Sequence, residues 1–359
     1  VVGLRWEHDF NNQTTWHNQF TYDQRHIDQP TSPTVYVGPY NSYAVSSDVT
    51  NHAQLAGRAL ETFGGINFDY LDFGSQTYNV MPLGGATRGA MSSESYGHQW
   101  NLGARFQEDW HFAPDWHAVV GLGGTYSDIG ATETLYGYSA TTSSQRAITA
   151  NRFYFNLAPE GAVIYTPSKD WTLHTRVGTA YGTPSSSNLF ITPQGQYGNN
   201  TQLQSQTSVG IDLGADWHPS SNINIQATGF YEFYKNELVS QSAGINAVGS
   251  YTFNAPASEH RGVVLGVEWK PLPQTLAGGR VKLSYTYDNQ IYTNYTETLS
   301  NTTLSRSFSR AGNYIPGVVP NFLNARFLYD QPDGLLEGLG GYAEVTWRDS
   351  YWLDNANRL

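Results

Sequence analysis

Apolar and polar residues alternate along most of this chain with a period of two. Between Trp171 and Tyr181 the odd positions are mainly apolar or aromatic, whereas the even positions include His174 and Arg176. Successive side chains of a β-strand point to opposite faces, so this pattern predicts a strand with one apolar and one polar face.

The same alternation recurs from one end of the chain to the other. Clear examples are the runs that begin at Trp100, Trp116, Ile223, Val263, Val281 and Ala343. We count about fourteen such runs, and helical periodicity fails nearly everywhere. Because no change in composition divides the chain, we predict that residues 1–359 form a single all-β unit.

The segments that connect the predicted strands alternate in length. Short polar turns lie at residues 113–115, 167–170 and 219–222. Longer segments rich in Gly, Ser, Thr, Asn and Tyr are predicted as loops at residues 28–51, 74–97, 127–149, 183–205, 236–259 and 292–317. Compact soluble domains rarely contain repeated loops of this length. Transmembrane β-barrels have this asymmetry, with short periplasmic turns and long extracellular loops.

The distribution of tryptophan agrees with a membrane barrel. Six Trp residues lie at the ends of predicted strands, namely Trp100, Trp110, Trp116, Trp171, Trp217 and Trp269, and amphipathic rings are favoured at membrane–water interfaces. The chain has no apolar run of about 20 residues, as a membrane-spanning helix requires. We therefore predict a transmembrane antiparallel β-barrel. The alternation alone leaves open a soluble protein with half-buried sheets.

Composition excludes several classes of function. Asp and Glu number 30 against 19 Lys and Arg, and this net charge of −11 argues against a nucleic-acid partner. Cysteine is absent, which excludes disulfides and thiolate chemistry. The ten His residues show no metal-binding spacing, and the acyl-transfer, phosphate-loop and dinucleotide motifs are missing. We expect no enzyme, no cofactor and no metal site, and assign His111 and His117 to an interfacial belt.

Ionisable side chains occupy polar positions of the predicted strands. A charge that faces lipid costs a few kcal/mol near the bilayer midplane, so these side chains are predicted to face the lumen. They are Arg105, Arg152, Glu160, Arg176, Glu232, Glu268, Glu344 and Arg348. Within a wet lumen they would solvate the interior and pair across strands.

Aromatic residues are frequent in the predicted loops, where rigid rings make contact area at low entropic cost. The group includes Tyr36, Tyr40, Tyr43, Tyr96, Phe190, Tyr292 and Tyr295. From the loops and upper lumen we predict the following ligand-binding residues: Arg25, Tyr78, His98, Tyr136, Tyr197, Tyr234, Tyr251 and His260. Packing of the loops against one another is the alternative role for each Tyr.

Several motifs between residues 151 and 357 follow one another in an order that resembles the barrel of TonB-dependent outer-membrane receptors. They are Ala158-Pro159-Glu160, Tyr181-Gly182-Thr183-Pro184, Asn199-Asn200-Thr201-Gln202-Leu203, Asn254-Ala255-Pro256, Arg261-Gly262-Val263 and Gly312-Asn313-Tyr314-Ile315-Pro316. Two positions depart from the family pattern. Gln204-Ser205-Gln206 replaces a frequent Lys-Pro-Glu, and Val264 stands where Glu is frequent.

The resemblance implies a monomeric importer of ferric siderophores or similar metal chelates in the outer membrane of a Gram-negative bacterium, surrounded by lipid and energised by TonB. About fourteen strands would be an internal portion of a plugged barrel of 22 strands. The N-terminal plug, the TonB-binding segment and the terminal strands are expected to lie outside this chain, and the lumen charges would also dock the plug. A passive porin of about fourteen strands and an outer-membrane hydrolase using His98 or His260 remain alternatives.

Overall fold

The computed structural model describes residues 1–31, 33–81, 85–138, 143–192, 195–242, 250–300 and 305–359. Sixteen β-strands are formed, together with one turn of 3-10 helix at Ser186–Leu189. The strands are β1 (Val2–Asn11), β2 (Thr14–Thr31), β3 (Thr34–Leu55), β4 (Arg58–Val80), β5 (Arg88–Ala113), β6 (Trp116–Tyr138), β7 (Ser143–Ser168), β8 (Trp171–Gly182), β9 (Gln206–Ser220), β10 (Ile223–Ser242), β11 (Ser250–Trp269), β12 (Gly279–Asn294), β13 (Thr296–Ser300), β14 (Ser305–Ser309), β15 (Asn321–Asp330) and β16 (Gly340–Arg348).

Fourteen of these strands form one antiparallel sheet, which confirms the predicted all-β fold and strand number. Each strand pairs with its neighbour in chain order from β1 to β12, and β15 and β16 complete the sheet. Strands β13 and β14 form a separate hairpin within the connection from β12 to β15. The edge strands β1 and β16 are exposed along their whole length. Among the described residues, no helix is long and apolar enough to cross a membrane.

The strand register gives the sheet one apolar and one polar face. Trp171 lies opposite Trp217 across β8 and β9, and their rings stack with centroids 5.2 Å apart. On the other face of the same pair, Arg176 lies opposite Asp212. Large apolar side chains on the first face are exposed, as in Leu213 at 69%. An apolar face left without protein cover is what a membrane barrel presents to hydrocarbon.

Two rows of aromatic rings border the apolar face. In the lower row Trp116 stacks on Tyr165 at 4.1 Å, and in the upper row Tyr126 contacts Trp100 at 5.2 Å and Phe153 at 6.1 Å. Trp116 and Tyr126 are ten residues apart on β6. At about 3.3 Å per residue and a tilt of about 45°, ten residues rise about 23 Å, close to the height of a barrel's apolar band.

The two ends of the sheet differ in how the strands are connected. At one end, called here the short-turn end, two-residue turns join β3 to β4, β5 to β6, β7 to β8 and β9 to β10. At the other, called here the loop end, the strands continue well past the upper aromatic row. Strands β5 and β7 each have 26 residues and are therefore about 86 Å long. In membrane barrels the short turns are periplasmic.

Several of the predicted long loops are in fact strands, so that part of the prediction is wrong. Strand β2 continues to Thr31 and β3 begins at Thr34, and the segments 74–97, 127–149 and 236–259 are likewise largely strand. Residues 243–249 within the last segment lie outside the described residues. Judged by the described residues, the long connections of the main sheet are those at 183–205 and 295–320. Beyond the membrane both faces of a hairpin can meet water, so the alternation that reveals a strand is lost.

Candidate functional site

A cavity of about 470 Å³ opens on the polar face at the loop end. We call it the vestibule cavity. Its wall residues are Tyr36, Tyr40, Leu71, Phe73, Ser75, Thr77, Ser93, Ser95, Glu133, Ser186, Ser187, Phe190, Ile191 and Tyr197. Five aromatic rings, six serine or threonine hydroxyls and one carboxylate therefore surround a single space.

Strand periodicity explains which sheet residues reach this cavity. Leu71, Phe73, Ser75 and Thr77 are alternate residues of β4 and point to the polar face. Register brings β5 alongside, with Ser75 opposite Ser95. Four strands, β3 to β6, thus form one wall of the cavity.

The connection from β8 to β9 forms the opposite wall. Leu189, Phe190 and Leu203 of this connection pack on Ile129 and Ala150 of the polar face in one buried cluster. Burial of apolar side chains stabilises this placement by about 25 cal/mol per Å².

Hydrogen bonds fix the same connection to the sheet. Asn188 Nδ2 donates to Thr252 Oγ1 at 2.8 Å, and Asn200 Nδ2 donates to the Thr252 carbonyl at 2.9 Å. Arg146 Nη2 donates to the carbonyl of Tyr197 at 3.1 Å. The wall that carries Tyr197 is therefore held from two sides.

The polar groups of the cavity are largely neutral donors and acceptors. The hydroxyls of Tyr36 and Tyr40 contact each other, and burial, followed by the Tyr36 hydroxyl, raises the pKa of Tyr40 to about 12. Burial also raises the pKa of the Glu133 carboxyl. Arg25 lies opposite Tyr40 across β2 and β3 and supplies a positive charge beside the cavity. This arrangement can hold a ligand that offers aromatic surface and hydrogen-bonding oxygens.

The structure distributes the predicted ligand residues over several places. Tyr197 lines the vestibule cavity and Arg25 lies beside it. His98 and Trp100 are alternate residues of β5 and therefore share a face. This is the apolar face, opposite to the cavity, and there the ring of His98 stacks on that of Tyr70 with centroids 6.3 Å apart. Tyr78 packs at the loop end with a small valine cluster on that face.

Other predicted residues lie elsewhere at the loop end. Tyr136 donates a hydrogen bond to Glu94. Tyr251 is 8% exposed, and its ring contacts Phe253 with centroids 5.8 Å apart. Neither residue lines the vestibule cavity.

Tyr234 and His260 form a second group, on β10 and β11. Their rings stack with centroids 4.2 Å apart, and His260 Nε2 lies 3.5 Å from Glu237 Oε1. Glu232 is the direct cross-strand neighbour of His260. This group has an acidic environment, unlike the hydroxyl-rich vestibule cavity.

Phe73 and Glu133 are among the cavity residues that the sequence did not single out. Phe73 alternates with Leu71 and Ser75, but this stretch lies at the edge of a segment predicted as a loop. Phe73 could have been identified if β4 had been predicted to continue through Thr77. The odd-numbered residues of that strand, Phe73 among them, would then share the polar face with Asp69.

All eight charged residues predicted for the lumen lie on the polar face, as register and strand parity place them. Several pair across strands. Arg176 Nη2 lies 2.9 Å from Glu160 Oε2, and Lys282 Nζ lies 2.6 Å from Glu268 Oε1. Glu344 accepts from Arg326 at 2.9 Å.

The other residues predicted for the lumen have mainly aromatic neighbours. Arg105 lies over the ring of Phe63 at 4.3 Å, and Arg152 lies 5.6 Å from the ring of Tyr154. Glu232 is the neighbour of His260 described above, and Arg348 lies opposite Phe322.

Comparison with solved structures shows the fold. The siderophore receptor PiuA from Acinetobacter baumannii is similar with a TM-score of 0.70 at 13% identity, over 99% of this chain and 55% of that chain. The ferric yersiniabactin uptake receptor FyuA from Yersinia pestis gives 0.67 at 16% identity, over 99% and 50%. The ferric citrate transporter FecA gives 0.68 at 13%, over 99% and 49%. The chain thus spans about half the length of these structures.

Sequence comparison identifies the family. Among curated proteins, none matches this chain. The sequence profile described as TonB dependent receptor-like, beta-barrel matches residues 1–359, which is the whole chain. The exposed apolar face between two aromatic rows agrees with a membrane β-barrel. The chain therefore belongs to the TonB-dependent receptor-like β-barrel family.

Proposed function

We propose that this chain is part of a TonB-energised outer-membrane importer of a ferric siderophore or a similar metal chelate, and that the chelate binds in the vestibule cavity. The observation that carries the proposal is the position and lining of that cavity. It lies on the polar face at the loop end, where a ligand arriving from outside first meets the lumen. Membership of the receptor family also supports a role as an importer.

The cavity suits such a ligand in size and in chemistry. Its volume of about 470 Å³ falls within the range of small-molecule sites. A ferric chelate presents an apolar or aromatic rim around oxygen donors. The rings of Tyr36, Phe73 and Tyr197 can pack on that rim, while serine hydroxyls donate to its oxygens.

The polar face further along the strands provides the path toward the periplasm. Its charged residues, among them Arg176, Glu160 and Glu268, would contact the plug domain of the whole protein. TonB would act through that plug, in a region outside this chain. We propose a monomer embedded in the lipid of the outer membrane of a Gram-negative bacterium, acting by binding and transport and not by catalysis.

The test is chelate binding to the detergent-solubilised protein. Ferric catecholate, ferric hydroxamate and ferric citrate compounds are titrated separately while tryptophan fluorescence is recorded. For the chelate that binds, we expect Tyr36→Ala and Tyr197→Ala each to weaken affinity about tenfold or more, since buried aromatic contacts dominate such sites. Tyr36 lies on β3 and Tyr197 on the β8–β9 connection, so the pair tests both walls.

Tyr96→Ala is the matched control for these variants. Tyr96 is an exposed tyrosine on β5 at the same end of the sheet, but it lies on the other face. We expect its replacement to leave affinity unchanged. Equal affinities for the wild type and both cavity variants would contradict the proposed site. Uptake of radioactive iron that persists without TonB would contradict the energised mechanism.

A further inference from the structure

Two imidazoles and a carboxylate meet at the short-turn end of the polar face. Asp109 and His111 of β5 and His117 of β6 each offer one ligand atom, and these atoms lie within 4.8 Å of one another. His117 Nδ1 is 2.8 Å from Asp109 Oδ1, and His111 Nε2 is 4.0 Å from the same oxygen. The two imidazole rings lie nearly parallel, with centroids 4.6 Å apart.

The β5–β6 hairpin itself brings these side chains together. Asp109 and His111 are two residues apart on β5 and so share a face. Trp110 pairs with Ala118 and Ala113 pairs with Trp116, which leaves two residues of β5 opposite His117. Such a bulge bends the strand and changes the direction of its side chains. The local backbone thus places both imidazoles beside one carboxylate.

The charges around this cluster favour a bound cation. Glu61 on β4 lies directly opposite Asp109, and two carboxylates in that position repel each other. Among the described residues, the ion-pair partners of these two carboxylates are imidazoles alone. They are His52, 3.3 Å from Glu61, together with His111 and His117 beside Asp109.

We propose that Asp109, His111 and His117 bind a divalent transition-metal ion of the Zn²⁺ class, with one coordination position open to water. Around Zn²⁺, ligand atoms at about 2.1 Å from the metal lie about 3.4 Å apart. The distance from Asp109 Oδ1 to His117 Nδ1, 2.8 Å, lies below that value, and the distance to His111 Nε2, 4.0 Å, lies above it. The side chain of His111 is 53% exposed and can rotate inward to close the site. Two nitrogens and one oxygen suit Zn²⁺, Cu²⁺ or Ni²⁺ better than Mg²⁺ or Ca²⁺.

This site is separate from the vestibule cavity in position and in chemistry. It lies on the same strands, β5 and β6, but at their short-turn end, whereas the cavity lies at their loop end. The ligand here is the metal ion itself and not a chelate. The two proposals can therefore fail independently.

Titration of the detergent-solubilised protein with zinc chloride in a calorimeter tests the site. We expect the wild type to bind one Zn²⁺ that His111→Ala and His117→Ala each weaken at least about tenfold, since loss of an outer-shell partner alone costs that much. Electron paramagnetic resonance with Cu²⁺ should show coupling to two nitrogens in the wild type and to one in either variant.

His174→Ala provides the matched control. His174 lies on the polar face of β8, and its carboxylate partner among the described residues is Asp216, at 3.9 Å. We expect this variant to bind Zn²⁺ as the wild type does. Because His111 is exposed, its replacement leaves the fold intact, and heat-modifiable migration on gels checks this for every variant. Unchanged Zn²⁺ affinity in His111→Ala, or no Zn²⁺ binding by the wild type, would overturn the proposal.

Discussion

Replacing Arg310 with methionine is expected to weaken the folded β12–β15 connection by about 3–5 kcal/mol. Arg310 Nε donates to Glu297 Oε2 at 2.7 Å, and the two side chains are 11% and 8% exposed. Without the guanidinium, the Glu297 carboxylate stays buried. Among the described residues its remaining side-chain donor is Asn355 Nδ2, at 3.1 Å. The uncompensated buried charge of Glu297 therefore accounts for most of the expected loss of stability.

Amide hydrogen exchange measures this effect where it occurs. The amide of Tyr292 donates to the carbonyl of Asn313 at 2.9 Å, and the amide of Gly312 donates back to Tyr292 at 2.7 Å. We expect both amides to lose protection in the variant, since the ion pair lies within the same connection. Unchanged protection at these amides would show that the ion pair contributes nothing to the loop.

Two further variants separate charge burial from loss of contact. Arg326→Met removes a more exposed pair, with Glu344 2.9 Å away, and should cost less than about 1 kcal/mol. The double variant of Arg310→Met with Glu297→Gln removes both buried charges. It should recover most of the stability lost in Arg310→Met, because the isolated carboxylate is gone.

Placing arginine at Leu265 is expected to lower the free energy of unfolding by about 2–4 kcal/mol. Leu265 lies on the apolar face of β11, four residues from Trp269 at the lower border of that face. A rise of four residues brings it close to the middle of the apolar band. At that depth hydrocarbon surrounds the side chain, and a guanidinium is most costly.

The neighbouring residue supplies the control for Leu265→Arg. Val264 is on the same strand but on the polar face, between Thr228 and Thr286. Arginine there reaches the wet side of the sheet and should change stability by less than about 1 kcal/mol. Urea unfolding in liposomes, followed by tryptophan fluorescence, compares the two. A larger loss for Val264→Arg than for Leu265→Arg would reverse the assignment of faces and contradict the membrane orientation.

The candidate sites show where sequence reasoning was sufficient and where it was not. Strand parity alone placed Arg176, Glu160 and Glu268 on the polar face, and the register agrees. Parity would also have placed His98 on the face of Trp100, away from the cavity. It was grouped with the ligand residues because it directly follows residues 74–97, which were predicted as a loop, and in a loop the alternation of faces does not apply.

The cluster of Asp109, His111 and His117 is a case that spacing in the chain could not reveal. His111 and His117 belong to no recognised metal motif, and the sequence placed them in an interfacial belt. Their proximity depends on a two-residue turn and on one extra residue in β5. A bulge of one residue leaves no consistent mark on composition or periodicity.

The sequence by itself determined the strands of the apolar band, the two faces and the family, because alternation of side chains along an extended chain is a local property. It did not reveal that these strands continue into the segments predicted as loops. It also determined which face meets lipid, since the energetic penalty for a charge there leaves one choice. Only the tertiary structure decided that Tyr36 and Tyr197 face one cavity across 161 residues of chain. Whether two such residues lie close together depends on the cross-strand register and on how the β8–β9 connection packs against the sheet. Both are fixed by contacts between segments that are distant in the chain.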